Sequence, residues 1–143
     1  DFDVFENHLV LTEKSNAQSA IRIINWTTND DHYIAFEEEA YAVQSSINPE
    51  FKTQSLRFSY TSMTTPASAF EYNMETKDRT LLKQQEVLGG FEKDDYVSKR
   101  IWTTARDGAK VPMSLVYKKT TKIDKNTPLL LLNCIPEKLK TVG

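Results

Sequence analysis

Four features carry side chains whose types could do chemistry: the histidines His8 and His32, the acidic run Glu37-Glu38-Glu39, and the single cysteine Cys134. A histidine can move a proton near neutral pH or ligate a metal. Three adjacent carboxylates could hold a cation or a basic peptide, and a thiol becomes a nucleophile when a base lies beside it. Their settings point to plainer roles. Both histidines fall in short strand-like or turn segments, the acidic run reads as a solvated turn, and Cys134 has no histidine nearby and reads as an inert thiol. No H-E-x-x-H, phosphate-binding loop or dinucleotide fingerprint occurs. We therefore assign no catalytic residue, and expect no metal and no cofactor.

The rest of the composition narrows the class. A chain of 143 residues with 39% hydrophobic and 27% charged residues suits a globular domain with a real core. A net charge of −2 argues against a nucleic-acid partner, since phosphate binding wants a concentrated basic face. The densest basic cluster, Lys118, Lys119, Lys122 and Lys125, reads as a solvated loop. One cysteine rules out an internal disulfide and fits a reducing, cytoplasmic setting. The longest apolar run, Leu129 to Leu132, is far too short to span a bilayer, so no membrane is expected. The chain starts at Asp1 and reads directly into strand-like sequence, so its start is read as a cut.

The elements that would position any site are short strands. Runs rich in β-branched and aromatic residues lie at 8–12, 20–26, 33–36, 41–43, 56–61 and 69–72, separated by turn-prone segments such as Ser15-Asn16 and Asn48-Pro49. They also repeat. Ile23-Ile24-Asn25-Trp26-Thr27-Thr28-Asn29-Asp30 aligns with Glu71-Tyr72-Asn73-Met74-Glu75-Thr76-Lys77-Asp78, Asn25 falling on Asn73. Each copy leads into a further strand, 32–36 in one and 79–84 in the other. A repeat of about 40–50 residues built from consecutive antiparallel strands is the signature of β-propeller blades.

Past Glu86 the character changes. The stretch 87–95 holds Gly89 and Gly90 and a charged cluster, and reads as a linker. Two further strands are expected over 97–105 and 110–117, with Asp107-Gly108 as a tight primed turn in which both residues take positive φ. Pro128-Leu129-Leu130-Leu131-Leu132 reads as a short strand buried on both faces. The domain expectation is 1–95 for propeller blades and 96–143 for a second domain.

Residues 82–119, LKQQEVLGGFEKDDYVSKRIWTTARDGAKVPMSLVYKK, resemble the junction between propeller and catalytic domain in the prolyl oligopeptidase family of serine peptidases, most of all its oligopeptidase B (protease II) members. Lys83-Gln84-Gln85-Glu86-Val87 and Ala105-Arg106-Asp107-Gly108 followed by Val111-Pro112 carry the resemblance, with FENHLVLTEKSN, NPEF and RFSYTSMTTPAS upstream. It implies a mainly β fold: antiparallel four-stranded blade units forming the C-terminal part of a β-propeller, then the first strands of an α/β-hydrolase domain. It also implies a parent that hydrolyses short peptides after Arg or Lys, with the propeller gating access.

The chemistry of that family needs a serine on a G-x-S-x-G elbow, then an aspartate and a histidine. None of the four glycines frames a serine in this way, and both histidines lie in the propeller-like part. The triad is expected beyond Gly143 in a full-length parent. After Leu131 the family's Tyr- and Gly-rich loop is replaced by residues 132–143, as a truncated gene product or gene model would do. Two functions stay open: a fragment of a serine oligopeptidase, inactive alone, or a non-catalytic β-rich binding module of peptidase ancestry. Unclosed blades and an unpaired Leu129–Leu132 strand would leave open edges, so self-association is expected.

Overall fold

A computed structural model describes residues 1–132. Two four-stranded antiparallel meanders follow one another. The first blade is β1 (Phe2–Val4), β2 (His8–Ser15), β3 (Gln18–Asn25) and β4 (Asp30–Tyr33); the second is β5 (Tyr41–Ser45), β6 (Ser55–Ser62), β7 (Ser68–Asn73) and β8 (Arg79–Gln84). Strand order equals chain order in both, as consecutive hairpins require. A 3-10 turn, Lys93–Asp95, precedes a separate two-stranded sheet, β9 (Tyr96–Thr104) with β10 (Lys110–Lys118).

Period-two patterning explains the core. Along β6, Leu56, Phe58 and Tyr60 are buried while Arg57, Ser59 and Thr61 face out. Val10, Ile21 and Ile23 of the first blade join them with Val43, Tyr72 and Met74, so the two sheets bury one shared core face to face. Each fully buried side chain of this size contributes roughly 1.5–3 kcal/mol. Polar ties reinforce the seam: the Val43 amide donates to Ser19 Oγ at 3.1 Å, and the Ser45 hydroxyl donates to Asp3.

The repeat read from the sequence is a repeat of geometry. Asn25 Oδ1 accepts the amides of Thr27 and Thr28 at 2.9 and 3.0 Å; Asn73 Oδ1 accepts those of Glu75 and Thr76 at the same two distances. Asn29 and Lys77 then take φ of 60° and 67°. These are Asx-stabilised turns closed by a left-handed residue.

Three expectations change. The strand expected over 33–36 is β4, which ends at Tyr33; the Ile34 amide still reaches Ile21 O at 3.0 Å, and Phe36 then packs on Tyr41, Phe58 and Tyr60. The strand-like start of the chain forms β1, which pairs with β2. The Asp107-Gly108 hairpin forms, but only Gly108 has positive φ, 85°. The Gly108 amide bonds to Ala105 O and the Ala105 amide to Ala109 O, which makes an ordinary turn followed by a left-handed glycine, not a primed two-residue loop. The primed loop is at Asn16-Ala17, φ 53° and 57°, where no glycine marks it. Finally, no strand forms over Pro128–Leu132: those leucines are 73–83% exposed, and no described strand lies alongside to pair with them. The tail after Leu132, with Cys134 and the charged stretch Glu137 to Lys140, lies outside the described residues.

Candidate functional site

His8 opens β2 opposite Asn25 at the end of β3, and both are buried. His8 Nε2 lies 3.1 Å from Asn25 Nδ2. The orientation of that amide is not free, because its oxygen is committed to the Thr27 and Thr28 amides. Asn25 Nδ2 therefore donates, His8 Nε2 accepts, and the ring carries its hydrogen on Nδ1, an atom without a partner among the described residues. Desolvation by burial lowers the pKa of His8, against the opposing pull of the Glu75 and Asp30 carboxylates. A neutral ring locked in this way is a packing group, not a proton carrier.

His32, on β4, makes a chain that resembles a relay. Its Nδ1 donates to Asp30 Oδ2 at 2.7 Å, and its Nε2 lies 3.1 Å from the Tyr72 hydroxyl of the second blade. The hydrogen bond from Lys77, then that from His32, holds the Asp30 carboxyl below its ordinary range. Burial pushes the Tyr72 hydroxyl up, away from nucleophilic use. The cluster ties the blades together. His8 and His32 thus both lie on strands, one of the two kinds of position expected of them, and the structure does not join them into one site.

The acidic run is no solvated turn at its centre. The Glu38 side chain is only 10% exposed and accepts hydroxyls from Tyr60 at 2.5 Å, Ser62 at 2.7 Å, Thr65 at 2.9 Å and Thr64. Burial alone would raise its carboxyl; the hydroxyl donors, Thr64 foremost, outweigh that and bring it down to about 2. Burial, and then the bond to Glu38, push Tyr60 up. Lys93 Nζ stands 3.7 Å away. Beside it an open groove of about 560 Å³ runs between Thr65, Phe70, Gln85 and Phe91. Glu38 already has its donors within the chain, which leaves nothing free for a cation or a basic peptide. Sequence reading missed the cage because its donors lie 22 to 27 residues away; the Ser-Met-Thr-Thr run after β6 was the available signal. Among the described residues no cluster of His, Cys, Asp and Glu could hold a metal, and no helix is long and apolar enough to cross a membrane.

Residues 1–85 match the family described as prolyl oligopeptidase, N-terminal beta-propeller domain. The chain is 43% identical over 130 residues to dipeptidyl aminopeptidase BI of Pseudoxanthomonas mexicana, covering 90% of this chain and 18% of that one. It is 26% identical to protease 2 of Moraxella lacunata, covering 89% and 18%. Among solved structures, oligopeptidase B of Trypanosoma brucei with covalently bound antipain superposes with a TM-score of 0.75 at 29% identity, over 90% of this chain and 19% of that one. The chain thus spans about 18% of the curated relatives named here. Two successive four-stranded meanders over the matched residues, with no G-x-S-x-G serine anywhere in the sequence, complete the assignment: the chain belongs to the prolyl oligopeptidase family, and it carries part of that family's propeller without the catalytic residues.

Proposed function

We propose that the chain supplies the closing blades of a propeller, residues 1–95, and the first strands of an α/β-hydrolase domain, 96–143, of a serine oligopeptidase. Its serine, aspartate and histidine lie outside these residues. The observation that carries this reading is the change of sheet: the family match ends at residue 85, and a new, unshared sheet begins at Tyr96. The parent acts on short peptides, cleaving after Arg or Lys, with the propeller limiting access; one cysteine suits a cytoplasmic protein. The 43% identity to a dipeptidyl aminopeptidase favours a second reading of specificity, release of dipeptides from a peptide's amino end.

Fluorogenic peptides ending in Arg or Lys, dipeptidyl substrates and a serine-directed phosphonate probe test these readings on the 143-residue chain and on the full-length parent. The chain alone should hydrolyse none of them and take up no probe, whereas the parent should take up probe and prefer one substrate class. Covalent labelling of any serine in the 143 residues would overturn the assignment. A parent without activity would leave the binding module as the function. Limited proteolysis should cut first between Gln85 and Asp95, the exposed linker.

Open surface around Leu129–Leu132 also supports self-association, read by light scattering over a concentration series of wild type and Leu130→Lys. A wild type that stays monomeric throughout counts against it.

A further inference from the structure

The hairpin β9–β10 follows the second blade in the chain, yet its polar anchor is on the first. Arg100 projects from β9 onto the β2–β3 turn, where its guanidinium donates to Gln18 Oε1 and to the carbonyl of Asn16. The Arg100 amide donates to Glu39 Oε2 at 3.0 Å. That N–H lies on the open edge of a two-stranded sheet, so Glu39 takes the bond a third strand would otherwise take. Trp102, on the same face of β9 two residues on, has its ring 5.4 Å from the guanidinium carbon. A small cleft of about 330 Å³ remains among Tyr41, Ala20, Gln18 and Trp102.

Two properties make this a built seat. The carbonyl of Asn16 is presented by the primed turn, whose two left-handed residues turn the backbone there. Glu39 is fixed by its neighbour: Glu38 is caged by hydroxyls of the β6–β7 connection and pairs with Lys93, next to the hairpin's start. The crossover between the blades thus gathers the second blade and the linker through Glu38 and the hairpin through Glu39.

We propose that Arg100 is the positioning residue that seats the β9–β10 hairpin on the first blade, through the β2–β3 turn and Glu39, and so sets the angle at which the hairpin-led domain leaves the propeller. The last clause rests on the domain assignment above; the seat itself does not.

Amide hydrogen exchange on the full chain tests the seat without any activity measurement. Arg100→Ala should speed exchange of the β9 amides by about tenfold or more, while the amide of Phe58 in the blade core keeps its wild-type rate. Arg100→Lys, with one donor group in place of a fork, should fall between the two. Glu39→Ala should expose the amide of residue 100, and Glu39→Gln, which keeps an acceptor oxygen, should restore its protection. In the double variant Arg100→Ala/Glu39→Ala the two losses should not add, because the side-chain bonds to the β2–β3 turn and the amide bond to Glu39 hold the same strand in one seat. Unchanged β9 exchange in Arg100→Ala would overturn the proposal. So would a Phe58 amide that accelerates in step with β9, since that reports general loosening of the fold.

Discussion

Asn25 and Asn73 occupy the same place in two successive blades and make the same turn with the same two amides, yet their surroundings differ. Asn73 lies opposite Ser55 and is half-exposed; Asn25 lies opposite His8 and is sealed between the sheets. The following residues diverge in parallel, with Met74 buried in the shared core and Trp26 largely open, its Nε1 donating to Glu6 O. A local turn rule specifies both loops. What each loop costs or contributes is decided by what the neighbouring blade lays over it.

The core is the most drastic place to test how far the blades are independent. Phe58 is fully buried and touches Phe36 and Phe70. Phe58→Ala should cost about 3–5 kcal/mol. Because the core is shared, amides at Ile23 in the first blade should lose protection together with those of the second. Two separate unfolding transitions by calorimetry would break the idea of one core.

A smaller difference separates the two asparagines. Asn73→Ala loses the turn bonds and should cost about 1 kcal/mol. Asn25→Ala loses the same bonds and also strands the buried His8 Nε2 without a donor, so about 2–3 kcal/mol is expected. Chemical denaturation of both variants measures the gap, and equal losses would show that burial of Asn25 adds nothing.

How much of this was legible beforehand depends on the range of the interaction. The Asn-Thr-Asp turns were visible as a repeat because their hydrogen bonds span two or three residues. Strands β2, β3, β6 and β7 were visible because β-branched and aromatic residues crowd into them and turn-prone residues bound them. The Glu38 cage and the Arg100 seat were not, since their partners come together only when separate elements pack. The expected strand at 128–132 failed for the same reason in reverse: apolar residues signal burial only if a neighbour exists to bury them.

Acid should separate the two sealed groups by pH window. His8 has a folded pKa below its ordinary 6.5, so the unfolded chain binds a proton more readily. Stability is complete above about pH 6.5 and falls as the pH drops through that value towards the lower folded one. Protonation would also turn Nε2 into a second donor facing Asn25 Nδ2, with Glu75, Asp30 and His32 as the other groups in its field. Glu38, held at about 2 from an ordinary 4.5, acts lower: its contribution, on the order of 2–3 kcal/mol, is whole above 4.5 and lost from there down to about 2. Thermal melts from pH 8 to 5 should show a fall in wild type that is weaker in His8→Gln. Identical slopes would remove His8 from the account.

The gentlest test concerns the β2–β3 turn of the first blade, for which the second blade has no equivalent. There β6 and β7 are joined by the longer connection Met63–Ala67, whose Thr64 and Thr65 serve Glu38. Between β2 and β3 only Asn16 and Ala17 fit, and the tight primed loop forces both to positive φ. Asn tolerates that region because its short polar side chain bonds locally; the alanine methyl crowds the following carbonyl there. Glycine relieves the crowding but adds freedom to the unfolded chain, and the first effect is the larger at a left-handed site. Ala17→Gly should therefore stabilise the chain by about 0.5–1 kcal/mol, measured as a higher denaturation midpoint at unchanged slope. Gly is also the commonest partner for Asn in such loops, so the turn should keep its shape and the Asn16 carbonyl its bond to Arg100. A destabilised Ala17→Gly would mean that the loop is held in its conformation from outside, by the hairpin seated on it.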